Sequence, residues 1–160
     1  MLHVCASSVA ETNAIAAALA GVARSGDLVV LAGEMGAGKT AFAQGFGAAL
    51  GVTEPITSPT YTLLHSYPAG RVTLHHADVY RLTTLHEVDD LAFGELREFG
   101  GIVLVEWGDV VAGSLGDHLA VRLVAKAADE NARSIELSAL GPGWARRWER
   151  IEELLADWRC

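Results

Sequence analysis

Eight consecutive residues constrain this chain more than any others. Gly33-Glu34-Met35-Gly36-Ala37-Gly38-Lys39-Thr40 has the form G-x-x-x-x-G-K-[ST], a phosphate-binding loop that works between a strand and a helix. Both neighbours are legible. Leu28-Val29-Val30-Leu31-Ala32 is a short continuous apolar run, as expected for a buried parallel strand. Ala41 to Leu50 is rich in helix formers and stops at Gly51, a natural C-terminal cap. The glycines let backbone N–H groups converge on phosphate oxygens, and the helix N-terminus adds a favourable partial charge. Gly36, Ala37, Gly38, Lys39, Thr40 and Ala41 are therefore the expected nucleotide-binding residues. Lys39 reaches the outer phosphates and the Thr40 hydroxyl ligates Mg²⁺.

The chain has 160 residues, enough for one domain with a real core and too few for two comfortable ones, so residues 1–160 are read as a single domain. Its 20 acidic and 12 basic residues give a formal net charge of −8, which argues against broad, independent nucleic-acid binding through a basic face. It leaves open an RNA-related role exercised through a protein partner. No apolar stretch is long enough to cross a membrane, and the N-terminus lacks a basic segment followed by an apolar core. A cytoplasmic protein is expected. With only Cys5 and Cys160, reduced thiols are expected rather than a disulfide framework.

Along the chain, Leu2 to Cys5 reads as a first strand. Ser8-Val9-Ala10-Glu11 has capping-box spacing ahead of an Ala-rich helix running to Ala23. Thr53 to Pro59 is a loop. Thr60–Tyr67 and Arg71–Asp78 form a hairpin around Pro68-Ala69-Gly70. Leu85 to Phe99 is a helix, and Ile102-Val103-Leu104-Val105 a second strongly apolar strand ending in Glu106. Leu119–Ala125 and Arg133–Leu140 pair antiparallel around residues 128–131, and Trp144 to Trp158 is one amphipathic helix. The fold class is α/β: a three-layer P-loop NTPase sandwich, its mixed sheet parallel at the centre with antiparallel hairpins.

Phosphoryl transfer depends on positioning and charge neutralisation, so such a loop needs Mg²⁺ and an acidic residue opposite it. Glu106, closing an apolar strand, is the first candidate, either as a metal ligand or as the group that positions water. Asp78 ends a more polar strand, Val72-Thr73-Leu74-His75-His76-Ala77, and on composition alone is as consistent with an ordinary surface acid. Ligands in parallel sheets gather at strand C-termini, where both acids lie. Ser58-Pro59-Thr60-Tyr61-Thr62 is either a switch that senses the terminal phosphate or a connector whose hydroxyls cap their own turn. His75 and His76 point to opposite faces of a strand and resemble no zinc spacing. Trp144, Trp148, Ile151, Leu155 and Trp158 recur at helical spacing, favouring core packing over a partner-docking stripe.

Four ordered blocks resemble the bacterial TsaE (YjeE) family. They are the loop itself, Ser58-Pro59-Thr60-Tyr61-Thr62-Leu63, His76-Ala77-Asp78-Val79-Tyr80-Arg81-Leu82 and Val105-Glu106-Trp107. The first is generic; the second and third make the resemblance specific. It implies an ATPase that works with the TsaB and TsaD proteins to modify adenosine 37 of tRNA to N6-threonylcarbamoyladenosine, with ATP and Mg²⁺ as cofactors. It further implies that Lys39 binds phosphates, that Thr40 and Glu106 hold Mg²⁺, and that Asp78 belongs to the catalytic centre. Ser58, Thr60 and Trp107 match the motifs as possible switch or supporting residues. Ala41 stands where a second threonine is common, and Gly108-Asp109 where Pro-Glu is frequent.

Two other P-loop roles compete. A small-molecule kinase needs an acceptor pocket and a basic lid, and no arginine-rich lid lies between the central strands. A nucleotide-dependent binding module would turn over little; no Asn-Lys-x-Asp segment for guanine appears.

Overall fold

The computed structural model describes residues 1–34, 36–57, 64–70, 72–78, 100–106, 116–127 and 129–160. In chain order these form β1 (Leu2–Ala6), α1 (Val9–Ala20), β2 (Leu28–Ala32), α2 (Lys39–Leu50), β3 (Leu64–Pro68), β4 (Thr73–Asp78), β5 (Ile102–Glu106), β6 (His118–Lys126), β7 (Asp129–Leu140), α3 (Pro142–Ala145) and α4 (Trp148–Leu154), followed by a 3-10 turn at Ala156–Trp158. The strands make one seven-stranded sheet in the order β1-β7-β6-β2-β5-β4-β3. The centre is parallel, with β2 between β5 and β6 and β4 beside β5. The antiparallel pairs β3–β4 and β6–β7, with β1 on β7, extend it to both edges. This is the expected mixed sheet with antiparallel hairpins. The helix expected over Leu85–Phe99, which would complete a third layer, lies outside the described residues, as do Thr60 to Leu63 of the expected first hairpin strand.

Strand alternation separates the two sheet faces. On one face Val29, Leu31, Leu104, Leu119, Val121 and Ile135 join the core formed with α1 and α2. Phe42, Ala43 and Phe46 of α2 and Ile15, Ala16 and Leu19 of α1 are buried there. Each fully buried Leu, Ile or Phe adds about 1.5–3 kcal/mol over an exposed one, so this layer fixes α2 firmly on β2. The two helices approach closely: a Cβ on Gly45 would lie 2.6 Å from the Asn13 carbonyl oxygen.

The start of α1 differs slightly from a reciprocal capping box. The Ser8 hydroxyl accepts the Glu11 N–H at 3.1 Å, but the Glu11 carboxylate turns to Ser7, accepting its N–H at 3.0 Å and its hydroxyl at 2.9 Å. Those bonds hold the Glu11 carboxyl below its usual range. Helix α1 also ends at Ala20 with Gly21 as cap, not at Ala23. Likewise, the β6–β7 turn comes earlier than expected. Asp129 to Asn131 already belong to β7, with a register irregularity between Ala125 and Lys126.

The C-terminal segment is not one helix but α3, α4 and the 3-10 turn. Between the two helices, Arg147 N–H bonds the Trp144 carbonyl at 3.0 Å, an i−3 bond that tightens the chain and interrupts the α-helical ladder. The Arg147 side chain is committed elsewhere. Its guanidinium grips Asp27 bidentately at 2.6 and 2.8 Å, donates to the Val22 and Gly143 carbonyls at 2.9 and 3.1 Å, and stacks 4.0 Å over the Trp144 ring. Trp144, Ile151 and Leu155 are fully buried, and Trp148 and Trp158 pack partly buried against the core. The tryptophan stripe is core.

The expectation of reduced thiols is overturned. Cys5 and Cys160 form a disulfide. Although 155 residues apart in sequence, their Cα atoms lie 5.3 Å apart, a separation that disulfide geometry accepts. A Val4–Arg159 antiparallel bridge lays the end of the chain along β1 and brings them together.

Candidate active site

Strand β2 ends at Ala32, and the loop turns back over its C-terminal end into α2. Gly33 is required by its surroundings: at φ +150° a Cβ would fall 2.6 Å from the Leu123 carbonyl oxygen of β6. Gly38, at φ +102°, occupies the N-cap of α2 and provides no side-chain cap. The first helical bond is Phe42 N–H to the Gly38 carbonyl at 2.9 Å. The N-terminal end of α2, with its partial positive charge, thus opens at the loop, where it favours an anion. Lys39 Nζ folds back over the loop and donates to the Gly33 carbonyl at 2.6 Å. From there its flexible stem can swing to a terminal phosphate.

The acids arrive by register. In the parallel β2–β5 pair Leu31 lies beside Glu106, and in the β4–β5 pair Asp78 lies beside Glu106. The two acids therefore share one sheet face and the same C-terminal end as the loop. Glu106 is nearly buried and Asp78 half-buried. Glu106 is one strand, roughly 4.8 Å, from β2; Asp78 is two strands away. The structure thus brings Gly36, Ala37, Gly38, Lys39, Thr40, Ala41, Asp78 and Glu106 to one edge of the sheet. Ser58, Thr60 and Trp107 lie outside the described residues.

Hard oxygen donors fit Mg²⁺, which characteristically uses one or two protein oxygens plus substrate phosphates and water. A half-buried Thr40 in the first turn of α2 and the Glu106 carboxylate one strand away meet that requirement. Among the described residues no group of three or more His, Cys, Asp or Glu side chains forms a self-sufficient metal cage.

Two residues lie against the candidate site that the sequence reading did not count among its site residues. His76 is completely buried, and its Nε2 sits 3.5 Å from Glu106 Oε1. Being two residues from Asp78 on the same strand, it necessarily shares that face, a signal that was available. Its neighbour His75 points the other way, bonds Ser66 Oγ at 2.7 Å, and has its pKa lowered by burial. The second is Arg133 of β7, which reaches the loop from behind: Nε donates to the Ala37 carbonyl at 2.8 Å and Nη2 to the Gly36 carbonyl at 3.1 Å. Nothing in the local sequence distinguishes Arg133 from any arginine on a strand.

A cavity of about 200 Å³ lies beside the loop, between Gly33 to Ala37 and Arg122 to Ala125. A larger, more apolar cavity, lined by Val30, Ala120, Ser138 and Leu140 among others, opens on the opposite sheet face. The glycine loop, the start of α2 and the two strand-end acids, rather than cavity size, mark the candidate site.

Comparison with known proteins identifies the family. The family described as "Threonylcarbamoyl adenosine biosynthesis protein TsaE" matches residues 6–135. The tRNA threonylcarbamoyladenosine biosynthesis protein TsaE of Bacillus subtilis is 38% identical over 146 residues, which cover 91% of this chain and 88% of that protein. The protein of the same name from Treponema pallidum is 43% identical over 106 residues, covering 66% of this chain and 78% of that one. The crystal structure of Bacillus subtilis YdiB superposes with a TM-score of 0.73 at 32% identity, over 98% of this chain and 94% of that chain. With its fold, its loop and most of its length matched in this way, the chain belongs to the TsaE family.

Proposed function

We propose that this protein is a Mg²⁺-dependent ATPase that serves the formation of N6-threonylcarbamoyladenosine in tRNA. The observation that carries the reading is the registration of Asp78 and Glu106 beside the loop of Lys39 and Thr40. The names of the relatives support the tRNA role.

In this reading the loop amides and Lys39 hold the β- and γ-phosphates, while Thr40 and Glu106 are the residues that hold Mg²⁺. Held there, Mg²⁺ would supply charge neutralisation for the phosphate oxygens. Asp78, farther from β2 and more exposed, is assigned to positioning the water. The water oxygen forms the new bond to the γ-phosphorus as the bond to the β–γ bridging oxygen breaks, and the water's proton is released to solvent or to the phosphate, giving ADP and phosphate. The net charge of −8 suits a subunit that meets tRNA through partners, and the family resemblance names TsaB and TsaD. The ATPase is then slow alone and stimulated by that pair.

The experiment is ATP turnover by the full chain with and without Mg²⁺, and with and without TsaB and TsaD, scored together with modified adenosine in tRNA. Stimulated, Mg²⁺-dependent turnover supports the assignment. Tight ATP binding with undetectable hydrolysis in a competent complex would make the protein a binding module instead. Phosphorylated acceptor appearing in step with ADP would make it a kinase.

A further inference from the structure

Arg133 is a cation that the proposed mechanism does not use, yet it is built into the phosphate-binding loop. Among the described residues its guanidinium makes four hydrogen bonds, all to backbone carbonyls: Ala37 at 2.8 Å, Gly36 at 3.1 Å, Glu130 at 2.6 Å and Ala132 at 2.8 Å. Among the described residues no carboxylate pairs with it. The side chain also lies flat against the loop: a Cβ placed on Gly38 would stand 3.4 Å from Arg133 Nε. Donors are normally spent on carboxylates or water; here a fork of fixed geometry is spent on the outer carbonyls of the loop.

Those carbonyls belong to particular peptide units. The Ala37 carbonyl shares its peptide plane with the Gly38 N–H, which opens the row of amides at the start of α2. The Gly36 carbonyl shares its plane with the Ala37 N–H, which closes the loop on the Glu34 carbonyl at 3.0 Å. A charged donor on a carbonyl fixes the plane and polarises the N–H at its other end, because hydrogen bonds in a chain strengthen one another. The uncompensated positive charge behind the loop also adds to the potential that draws phosphate in.

We infer that Arg133 is a positioning residue that pre-forms the phosphate cradle from behind, holding the Gly36–Ala37 peptide in the turn closed on Glu34 and the Ala37–Gly38 peptide in its phosphate-accepting orientation before nucleotide arrives. The support comes from a strand paired on both sides. Arg133 lies in register with Ala6 of β1 and Ala125 of β6, so the strand that carries it is held on both sides. A loop on its own must order its peptides when nucleotide binds; one clamped by a rigid strand has met that cost during folding. The inference rests on the reading of the loop as a nucleotide-phosphate site.

The test uses the full-length protein with Arg133→Gln, which keeps a donor but loses the charge and the fork, and Arg133→Lys, which keeps the charge alone. MgATP affinity is measured by calorimetry, and amide hydrogen exchange at Gly36 to Thr40 is measured without nucleotide. The glutamine variant is expected to bind MgATP roughly tenfold or more weakly, as befits loss of charged hydrogen bonds, with the lysine variant between it and the parent. Exchange in the loop should rise in both, while exchange in β2 and β5 stays unchanged. A purely structural arginine would instead lower the melting temperature and leave affinity and loop exchange as in the parent at temperatures where the variant is folded. Parental affinity within twofold together with parental loop exchange, in either variant that folds, overturns the inference. Because the exchange measurement needs no nucleotide, it still decides the question if the parent itself fails to bind ATP, a result that would sink the function reading instead.

Discussion

Gly33 and Gly36 belong to the same motif, but the structure assigns their substitutions different costs. At Gly33 an added Cβ meets the Leu123 carbonyl oxygen at 2.6 Å and the Ala37 Cβ at 3.1 Å, on a backbone with φ +150°. The obstruction is backbone in the neighbouring strand, so no rotamer change relieves it. Overpacking costs about 1–3 kcal/mol, and a backbone conformation that L-residues avoid adds about 1–3 kcal/mol, together about 2–6 kcal/mol. At Gly36, φ is +82° and nothing lies within 4 Å of the added atom, leaving the left-handed penalty of about 1–2 kcal/mol alone. Domains typically have about 5–15 kcal/mol in total, so Gly33→Ala removes a large share and Gly36→Ala a modest one. Urea unfolding of nucleotide-free protein reads the difference directly, and at about 2–4 °C per kcal/mol for a chain of this size a thermal melt should separate the two variants by several degrees. If the two were equally stable within about 0.5 kcal/mol, against about 2.5 kcal/mol between the middles of these ranges, the close β2–β6 packing at the loop would be refuted.

Three further outcomes follow from other parts of the molecule. Arg147→Met leaves the buried Asp27 carboxylate without its bidentate partner and should cost about 3–5 kcal/mol in urea unfolding, with Asp27→Asn added to it recovering part of the loss; a single-variant loss below about 1 kcal/mol would contradict the burial of that pair. Reducing the Cys5–Cys160 disulfide should lower stability by about 2–5 kcal/mol by releasing the ends of the unfolded chain, read as a drop in melting temperature with reductant that Cys160→Ser abolishes; identical melts with and without reductant would remove the bridge. Burial lowers the His75 pKa from its ordinary 6.5, so the fold favours the neutral ring: the contribution to stability is complete above that value and is lost as pH falls through the lower folded-state pKa. A His75 ring-proton titration in the native protein with its midpoint at or above 6.5 would reverse the sign.

Local signals made the centre of the molecule legible. The apolar run of β2, the glycine loop and the Gly51 stop of α2 each follow from near neighbours in sequence, as does the strand that ends in Glu106. The Ala69-Gly70 turn marked the β3–β4 hairpin for the same reason. What was not legible depends on distant partners. Whether Trp144 to Trp158 is one helix or two depends on an arginine that turns inward to an aspartate at the start of β2. The disulfide depends on a terminal bridge to β1. In the candidate site, the loop motif singles out Lys39 and Thr40, a strand end Glu106 and the family resemblance Asp78, but Arg133 bonds the loop through carbonyls of the backbone, which have no signature in the residues that carry them. His76 lies between these cases: strand periodicity places it on the face of Asp78, yet only the β4–β5 register puts it against Glu106.

Turnover of ATP by the full chain with TsaB and TsaD, comparing the parent with Glu106→Gln at increasing Mg²⁺, tests the central assignment most directly. Glu106→Gln should keep the fold and lose turnover by roughly 10²-fold or more, as expected for removal of a charged group acting on the transferring phosphoryl, with a higher Mg²⁺ requirement for what remains. Parental turnover and parental Mg²⁺ dependence in a folded Glu106→Gln protein would take that carboxylate out of the metal site, and with it the proposed ATPase centre.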